Sequence, residues 1–103
     1  MSHAHIRAEV RQVLQEAGWL VTSKDAIKFG ADYLLYSKNK IHSEFAVSIV
    51  EEENCQLLNL QRFARLCESV HKRALFVILK RHEDGHLAIS EYAEVSRWNT
   101  HIN

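Results

Sequence analysis

The sequence predicts an α/β fold in which a mixed β-sheet carries flanking helices. Two segments, residues 6–17 and 56–72, have the apolar spacing of helices, and short apolar runs typical of strands surround them. A polar "RHEDG" stretch between two of these runs is a hairpin signal. The predicted order is α-β-β-β-α-β-β-β, which fits a single domain of 103 residues.

The first half of the chain supplies one helix and three strands. The helical spacing of apolar side chains stops at Gly18, which is a natural helix terminator. "WLVTS" (19–23) is predicted to be the first strand, and the second follows a turn at residues 29–30 and ends near Tyr36. "HSEFAVSIV" (42–50) is predicted to be the third strand, and its apolar run indicates a central place in the sheet.

The second half supplies one helix and the remaining strands. The helix is predicted to end at Lys72, with one apolar face formed by Leu60, Phe63, Leu66, Cys67 and Val70. "ALFVILK" (74–80) is predicted to be a buried strand, and "HLAISEY" (86–92) its hairpin partner. The tail from residue 93 is expected to add a last short strand.

The bulk composition argues against several classes of protein. Thirteen basic residues balance 13 acidic ones, so net charge alone gives no reason to expect a nucleic-acid partner. No apolar run is long enough to cross a bilayer, and the N-terminus lacks the apolar core of a signal peptide. Cys55 and Cys67 do not make a disulfide framework. A soluble intracellular protein with no membrane partner is therefore expected.

Three side chains of different chemistry are predicted to meet at one end of the sheet. Tyr36 closes the second strand, His42 opens the third, and Lys72 ends the helix just before the next strand. A helix that packs on a sheet and feeds a central strand delivers its last turn to a sheet end. These groups are therefore expected to converge on one rim; the alternative is a polar turn with two incidental rings.

The same helix carries a polar, mostly cationic stripe opposite its apolar face. Arg62, Arg65, Ser69 and Lys72 fall within an arc of about 80° if the helix continues to Lys72. Such a stripe is ordinarily a solvated helix face. Its end beside the Tyr36–His42 pair also favours a role in binding an anionic substrate.

The residue types favour metal-free chemistry on RNA. His82 and His86 flank a turn glycine with no cysteine or carboxylate cluster beside them, so neither a metal site nor a cofactor is predicted. The Glu-x-Lys pair of magnesium-dependent nucleases and a Gly-rich phosphate loop are both absent from the sequence. A base, an acid and a fixed cation are what cleavage by the RNA's own 2′-hydroxyl requires. DNA lacks that hydroxyl and would be inert.

Three motif blocks occur in order along the chain: "FGADYLLY" (29–36), "HSEFAV" (42–47) and "RLCESVHK" (65–72). Together they resemble the catalytic domain of the tRNA-splicing endonuclease (tRNA-intron lyase) family, over about residues 19–98. The resemblance implies one domain over residues 1–103 with a restriction-endonuclease-like fold. Its expected parts are an N-terminal helix (1–18), the catalytic domain (19–98) and a tail (99–103).

The resemblance also implies a catalytic triad. Tyr36 would be the general base on the 2′-hydroxyl, His42 the general acid on the 5′ oxygen, and Lys72 would stabilise the transition state. The expected products carry a 2′,3′-cyclic phosphate and a 5′-hydroxyl.

Substrate and partners are implied in the same way. The substrate would be a precursor tRNA with a bulge–helix–bulge, in which Arg65 and Arg97 stack on an extruded nucleotide. Ser69, from the polar stripe, is a further candidate for substrate binding. Only one helix precedes the first strand, where archaeal family members commonly have a separate domain. A homo-oligomer or a separate structural subunit is therefore expected, contacted through Glu83, Asp84 and the C-terminal strand. A plain polar turn is the alternative for Glu83 and Asp84.

Two other functions are open at this level. One is a non-catalytic structural subunit of such a complex, although it would have no need for all three triad residues. The other is a DNA nuclease or resolvase of related fold, against which the missing Glu-x-Lys counts. The family resemblance implies a cytoplasmic protein in an archaeon and a nuclear one in a eukaryote.

Overall fold

A computed structural model of the chain describes residues 3–38, 42–54 and 56–95. The helices and strands in chain order are α1 (His3–Glu16), β1 (Leu20–Thr22), β2 (Tyr33–Tyr36), β3 (Phe45–Glu51), α2 (Leu57–Ser69), β4 (Arg73–Arg81) and β5 (Leu87–Val95). Short 3₁₀ turns at Ala26–Phe29 and Glu52–Asn54 precede β2 and α2. Within these described ranges, no helix is long and apolar enough to cross a membrane.

The five strands form one mixed sheet in the order β1-β2-β3-β4-β5. β3 and β4 are parallel, and the other neighbouring strands are antiparallel. The parallel pair needs a crossover connection, and α2 provides it. The α/β fold with a mixed sheet is therefore confirmed, as is the central place of β3.

The two helices cover opposite faces of the sheet. Successive side chains of a strand point to opposite faces, so each strand contributes to two apolar clusters. On the α1 face, Ile6, Val10 and Leu14 pack against buried strand residues that include Leu35, Val47, Val77 and Leu79. On the α2 face, Ala64 and Cys67 pack against Leu34, Ala46, Ala74, Phe76 and Ile78. Burial on both sides explains the nearly continuous apolar runs of the central strands.

Both helices end in the same hydrogen-bonded turn. At the end of α1, Gly18 has a positive φ of 102°, and the Trp19 N–H donates to the Leu14 carbonyl at 3.2 Å. This is a Schellman motif, in which a left-handed residue satisfies the last helical carbonyls. The prediction that Gly18 ends the helix is confirmed.

The predicted end of α2 at Lys72 is wrong. α2 ends at Ser69, because His71 takes the left-handed conformation with φ 61° and closes a second Schellman motif. In it the Lys72 N–H donates to the Cys67 carbonyl at 2.8 Å, and the His71 N–H donates to the Glu68 carbonyl at 3.0 Å. Lys72 therefore lies beyond the helix, and the stripe geometry that assumed a helical Lys72 does not apply to it.

Two further boundaries differ from the prediction. β3 begins at Phe45 rather than at His42, so His42 lies in the segment before the strand. β5 runs unbroken to Val95 because β4 pairs with it from Arg81 back to Ala74. The predicted break after residue 92 is therefore wrong, and the rest of the predicted last strand (96–103) lies outside the described residues.

The apolar face predicted for α2 is correct only in part. Cys67 is fully buried, and Leu60 and Phe63 pack against the same cluster. Leu66 and Val70 keep 41% and 37% of their surface exposed, because the sheet side of the helix is centred on Ala64 and Cys67.

Candidate active site

Tyr36, His42 and Lys72 line one cleft of about 200 Å³. The cleft lies at the rim of the sheet where β2 ends and where β3 and β4 begin, since Leu35 pairs with Phe45 and Phe45 pairs with Arg73. Residues from the 3₁₀ turn and its flank, from β2 and from the segment before β3 complete its described lining: Asp25, Lys28, Phe29, Leu34 and Ser43. Segments far apart in sequence thus meet at one point.

Two larger depressions lie beside the β4–β5 hairpin, with volumes of about 590 and 370 Å³. Among the described residues, the first is lined by the consecutive residues Lys80 to Asp84. The second is lined by Leu79, Lys80, Arg81 and the acidic pair Glu52 and Glu53. Neither brings together a phenol, an imidazole and an ammonium group from separate segments. Size therefore does not identify the site here, and the smaller cleft is the better candidate on chemical grounds.

Tyr36 is placed by the alternation of β2. It is the last residue of the strand and lies on the same face as Leu34, toward the cluster that packs under α2. Its ring is partly buried against this cluster. The strand therefore fixes the Cβ end of the side chain, whereas the ring remains partly accessible at the edge of the cleft.

His42 and Ser43 are positioned by the backbone of Glu44. The Glu44 N–H donates to the Leu35 carbonyl at 2.8 Å, and the Glu44 carbonyl accepts from the Arg73 N–H at 2.8 Å. These bonds join the segment before β3 to β2 on one side and to β4 on the other. The two residues that precede Glu44 are thereby held next to Tyr36 and Lys72, although His42 itself is exposed.

Lys72 is held by its backbone and by its ammonium group. The Schellman turn ties its N–H to α2, and its Nζ donates to the Ser43 carbonyl at 3.5 Å. Nζ also lies 5.2 Å from the centre of the Phe29 ring, within the range of a cation–π contact. These two contacts restrict the position of the ammonium group. Neither the carbonyl nor the ring carries a formal negative charge that would neutralise it.

The 3₁₀ turn that presents Phe29 is anchored at both ends. Ala26 is fully buried in the cluster under α2, and Gly30 terminates the turn with a φ of 66° that glycine adopts without strain. Asp25 precedes the turn, also with a positive φ of 63°, and its carboxylate pairs with Lys28 at 3.3 Å. This turn forms one wall of the cleft.

Cys67 reports on the electrostatics behind the cleft. Burial raises the pKa of its thiol from 9.0 to about 11, and the positive charge of Lys72 acts in the opposite direction. The ammonium group is therefore close enough to the buried thiol to affect its protonation. Cys67 is held as a neutral thiol at physiological pH and acts as a core side chain.

Of the proposed substrate-binding residues, Arg65 and Ser69 are described, and neither is among the described residues that line this cleft. Arg65 is exposed on α2, and the Ser69 hydroxyl at the end of that helix donates to the Leu66 carbonyl at 2.6 Å. Arg97 lies outside the described residues. The structure thus leaves Arg65 on a surface near the helix end that leads to Lys72, and it does not bring Arg65 and Ser69 into contact with the triad.

Glu83 and Asp84 form an exposed turn between β4 and β5, as the hairpin signal predicted. The His82 N–H donates to the His86 carbonyl at 2.8 Å across the turn. The Asp84 carboxylate accepts from the His86 N–H at 2.9 Å, so this side chain also stabilises its own loop. In the described part of the chain, no three histidine, cysteine or acidic side chains are grouped so that they could hold a metal ion.

Besides the core residue Leu34, sequence reasoning missed four residues of the cleft: Asp25, Lys28, Phe29 and Ser43. Ser43 follows His42 directly, and this adjacency was the available signal for it. The other three belong to a turn of four residues and its flank, which is too short to show a helical period. Their place at the cleft depends on how the turn packs under α2.

The cleft combines the groups that acid–base chemistry on a phosphodiester requires. A phenol and an imidazole can exchange protons, and a fixed ammonium group can stabilise developing negative charge. A volume of about 200 Å³ is smaller than the roughly 300–1,000 Å³ of small-molecule pockets. A substrate would place only part of itself here, as a polymer does.

The chain matches the model of a protein family described as "tRNA intron endonuclease, catalytic C-terminal domain" over residues 5–90. The match begins inside α1 and ends inside β5, whereas the motif resemblance covered about residues 19–98. Residue 97 lies beyond the matched range. The chain is also 31% identical over 78 residues to a tRNA-splicing endonuclease of Methanococcus vannielii. That alignment covers 72% of this chain and 43% of the relative, so the chain corresponds to less than half of the relative's length. On the extent of these matches, the chain belongs to the tRNA intron endonuclease family, in its catalytic C-terminal domain.

Proposed function

We propose that the chain is a catalytic subunit that cleaves precursor tRNA at intron–exon junctions. The observation that carries this proposal is the convergence of Tyr36, His42 and Lys72 in one cleft of a domain that belongs to this family. The substrate would be a bulge–helix–bulge RNA. The reaction would leave a 2′,3′-cyclic phosphate and a 5′-hydroxyl, and it would require no metal ion.

In this mechanism each of the three groups has one task. Tyr36, as its phenolate, accepts the proton of the 2′-hydroxyl as that oxygen attacks the neighbouring phosphorus. His42 gives a proton to the departing 5′ oxygen, so that the P–O bond breaks without forming a free alkoxide. Lys72 stabilises the additional negative charge on the phosphate oxygens in the transition state.

The flanking surface would hold the rest of the RNA. Arg65 is exposed on α2 and is available for stacking on an unpaired base. We assign Arg97 the same role on the basis of the family resemblance. Ser69 would contribute through its exposed position at the end of α2, although its hydroxyl already donates within the helix.

Assembly is part of the proposal. The subunit would work as a homo-oligomer or with a separate structural subunit, through Glu83, Asp84 and the C-terminal strand. The exposure of the hairpin turn supports this assignment. β5 lies within the described residues, and among the described strands it forms one edge of the sheet, where backbone groups face away from β4.

The test is cleavage of a bulge–helix–bulge RNA by the purified chain in the presence of EDTA, with analysis of the product ends. Cyclic-phosphate and 5′-hydroxyl ends are expected. Cleavage that requires magnesium and leaves 5′-phosphates would overturn the proposal in favour of a metal-dependent nuclease. Absence of cleavage by the chain alone and with added family subunits would favour a non-catalytic structural subunit.

A further inference from the structure

The cleft contains polar groups that the three-residue mechanism does not use. Ser43 and Lys28 both line it, together with Asp25. We propose that the Ser43 hydroxyl and the Lys28 ammonium group form an anion-binding site with Lys72, which holds a non-bridging oxygen of a phosphate in the cleft. That the phosphate belongs to RNA rests on the proposed function, whereas the anion site itself does not.

Ser43 has the most unusual hydrogen-bonding state in the described part of the chain. The residue is 6% exposed, and its Oγ is the only enclosed side-chain nitrogen or oxygen there without a hydrogen-bond partner. A buried hydroxyl without a partner loses its hydration and gains nothing in return. Such exceptions are rare in native proteins and need a specific explanation.

A bound anion would supply the missing partner. Rotation about χ1 carries a serine hydroxyl between staggered positions, and here the rotation breaks no hydrogen bond because Oγ makes none. The Ser43 carbonyl already holds the Lys72 Nζ at 3.5 Å. A phosphate oxygen that approaches Lys72 would therefore come close to Ser43 as well, and hydrogen bonds to charged acceptors are stronger than those to neutral ones.

Lys28 supplies a second positive charge. Its partner Asp25 lies at 3.3 Å, but the two side chains are 71% and 50% exposed. Ion pairs at such exposure are weak, so Lys28 can exchange the carboxylate for a phosphate oxygen at little cost. The charged lining consists of two ammonium groups and one carboxylate, Lys28, Lys72 and Asp25. This balance favours an anion.

The proposal predicts opposite effects of Ser43→Ala on stability and on binding. Removal of a hydroxyl without a partner should leave the thermal unfolding midpoint unchanged or raise it. The same change should weaken inorganic phosphate binding about ten- to a hundredfold and slow single-turnover RNA cleavage by a similar factor. A purely structural serine would instead lower the unfolding midpoint and leave phosphate binding intact.

Binding is measured by titrating the isotopically labelled chain with inorganic phosphate and following amide NMR shifts around Lys28, Ser43 and Lys72. Lys28→Gln should also weaken binding, whereas Asp25→Asn should strengthen it because it removes the competing carboxylate. Ser48→Ala is the matched control, since Ser48 lies on β3 outside the lining of the cleft. It should leave phosphate affinity and cleavage unchanged.

The possible outcomes separate this inference from the proposed function. Absence of phosphate-induced shifts at the cleft overturns the inference, whatever the RNA assay shows. Cleavage of RNA by Ser43→Ala at the unaltered rate, with unaltered phosphate affinity, also overturns it and leaves the proposed function intact. Phosphate binding that weakens in Ser43→Ala and Lys28→Gln supports the anion site, even if the chain cleaves no RNA.

Discussion

At the scale of single residues, Cys67 links the core to the cleft. Its side chain is fully buried between α2 and the sheet, and the Lys72 ammonium group acts on its thiol from the cleft side. Its carbonyl also accepts the Lys72 N–H that closes the turn after α2. A change at this core position therefore reaches the proposed catalytic lysine.

The raised pKa of Cys67 makes stability depend on pH in the alkaline range. In the folded state the pKa rises from 9.0 to about 11, so folding favours the protonated thiol. This contribution is fully present below pH 9 and is lost as the pH rises through 11. The free energy of unfolding of the wild-type protein should thus fall by up to about 2–3 kcal/mol relative to that of Cys67→Ala over this interval.

The measurement is the free energy of unfolding in urea for both proteins at a series of pH values. Because other groups titrate in the same range, the difference between the two proteins is the relevant quantity. A difference that stays constant from neutral to strongly alkaline pH would contradict the assignment.

Residue-level properties divide into those that the sequence reveals and those that it hides. Tyr36, His42 and Lys72 could be selected because their types and order match a family pattern. The role of Ser43 could not, since whether a hydroxyl has a partner depends on its three-dimensional surroundings. The end of α2 before His71 could not be predicted either, because the residue with the left-handed conformation is a histidine and not the usual glycine.

At the scale of helices and strands, the Asp32 side chain connects α1 to the sheet. Its carboxylate accepts from the Ile49 N–H at 2.7 Å and pairs with Arg7 of α1. Its own N–H donates to the Val47 carbonyl at 2.8 Å. The Tyr33 hydroxyl adds a hydrogen bond to the Arg7 carbonyl at 3.1 Å. Asp32, part of the "FGAD" motif, thus has a structural role that its proximity to Tyr36 in sequence does not indicate.

Replacement of Asp32 should destabilise the fold. Asp32→Ala leaves the Ile49 N–H without its acceptor and should lower the free energy of unfolding by about 1–3 kcal/mol. Asp32→Asn is the matched control, because its amide oxygen can still accept from Ile49 while the charge pair with Arg7 is lost. The free energy of unfolding of Asp32→Asn, measured in the same urea titration, should fall by clearly less than that of Asp32→Ala. Equal stability of Asp32→Ala and the wild type would refute this role.

The elements differ in how well the sequence predicts them. β3 and β4 were predictable because both of their faces are buried, which gives long apolar runs. The 3₁₀ turn Ala26–Phe29 was not, because a single turn of four residues shows no period. The part of the cleft wall that this turn forms therefore depends on its packing under α2, which the sequence pattern does not show.

At the scale of the whole molecule, the β4–β5 turn is the place where assembly can be tested. Asp84→Ala would remove the acceptor of the His86 N–H and disturb the turn itself. Glu83→Gln combined with Asp84→Asn removes both charges and keeps an acceptor at residue 84. We expect this variant to have a lower mass by light scattering at a given concentration, because the proposed contact depends on these charges.

The matched control removes two acidic charges on α1, through Glu9→Gln and Glu16→Gln. Both glutamates are exposed, so the change in net charge is the same as in the turn variant. This control should keep the mass of the wild-type assembly. An unaltered mass for the turn variant would argue against a partner contact at the hairpin.

The fold as a whole brings the ends of β2, β3 and β4 to one rim, and the proposed catalytic residues come from these ends. The order of strands could be predicted in outline, because the position of α2 between two apolar strands indicates a parallel crossover. The convergence of their side chains follows from the pairing register of β2, β3 and β4. Hydrophobic patterning alone does not give that register.

The central claim is that His42 protonates the leaving oxygen, and the most direct measurement uses two RNA substrates with the variant His42→Ala. On ordinary RNA, cleavage should slow by about 10²–10⁴-fold while RNA binding persists. On RNA with sulfur in place of the 5′ bridging oxygen, the rate should return toward that of the wild type, since a thiolate leaves without a proton. The His5→Ala variant, changed at an exposed position of α1, should cleave both substrates normally. Cleavage of ordinary RNA by His42→Ala at the wild-type rate, or no recovery on the sulfur substrate, would contradict the account.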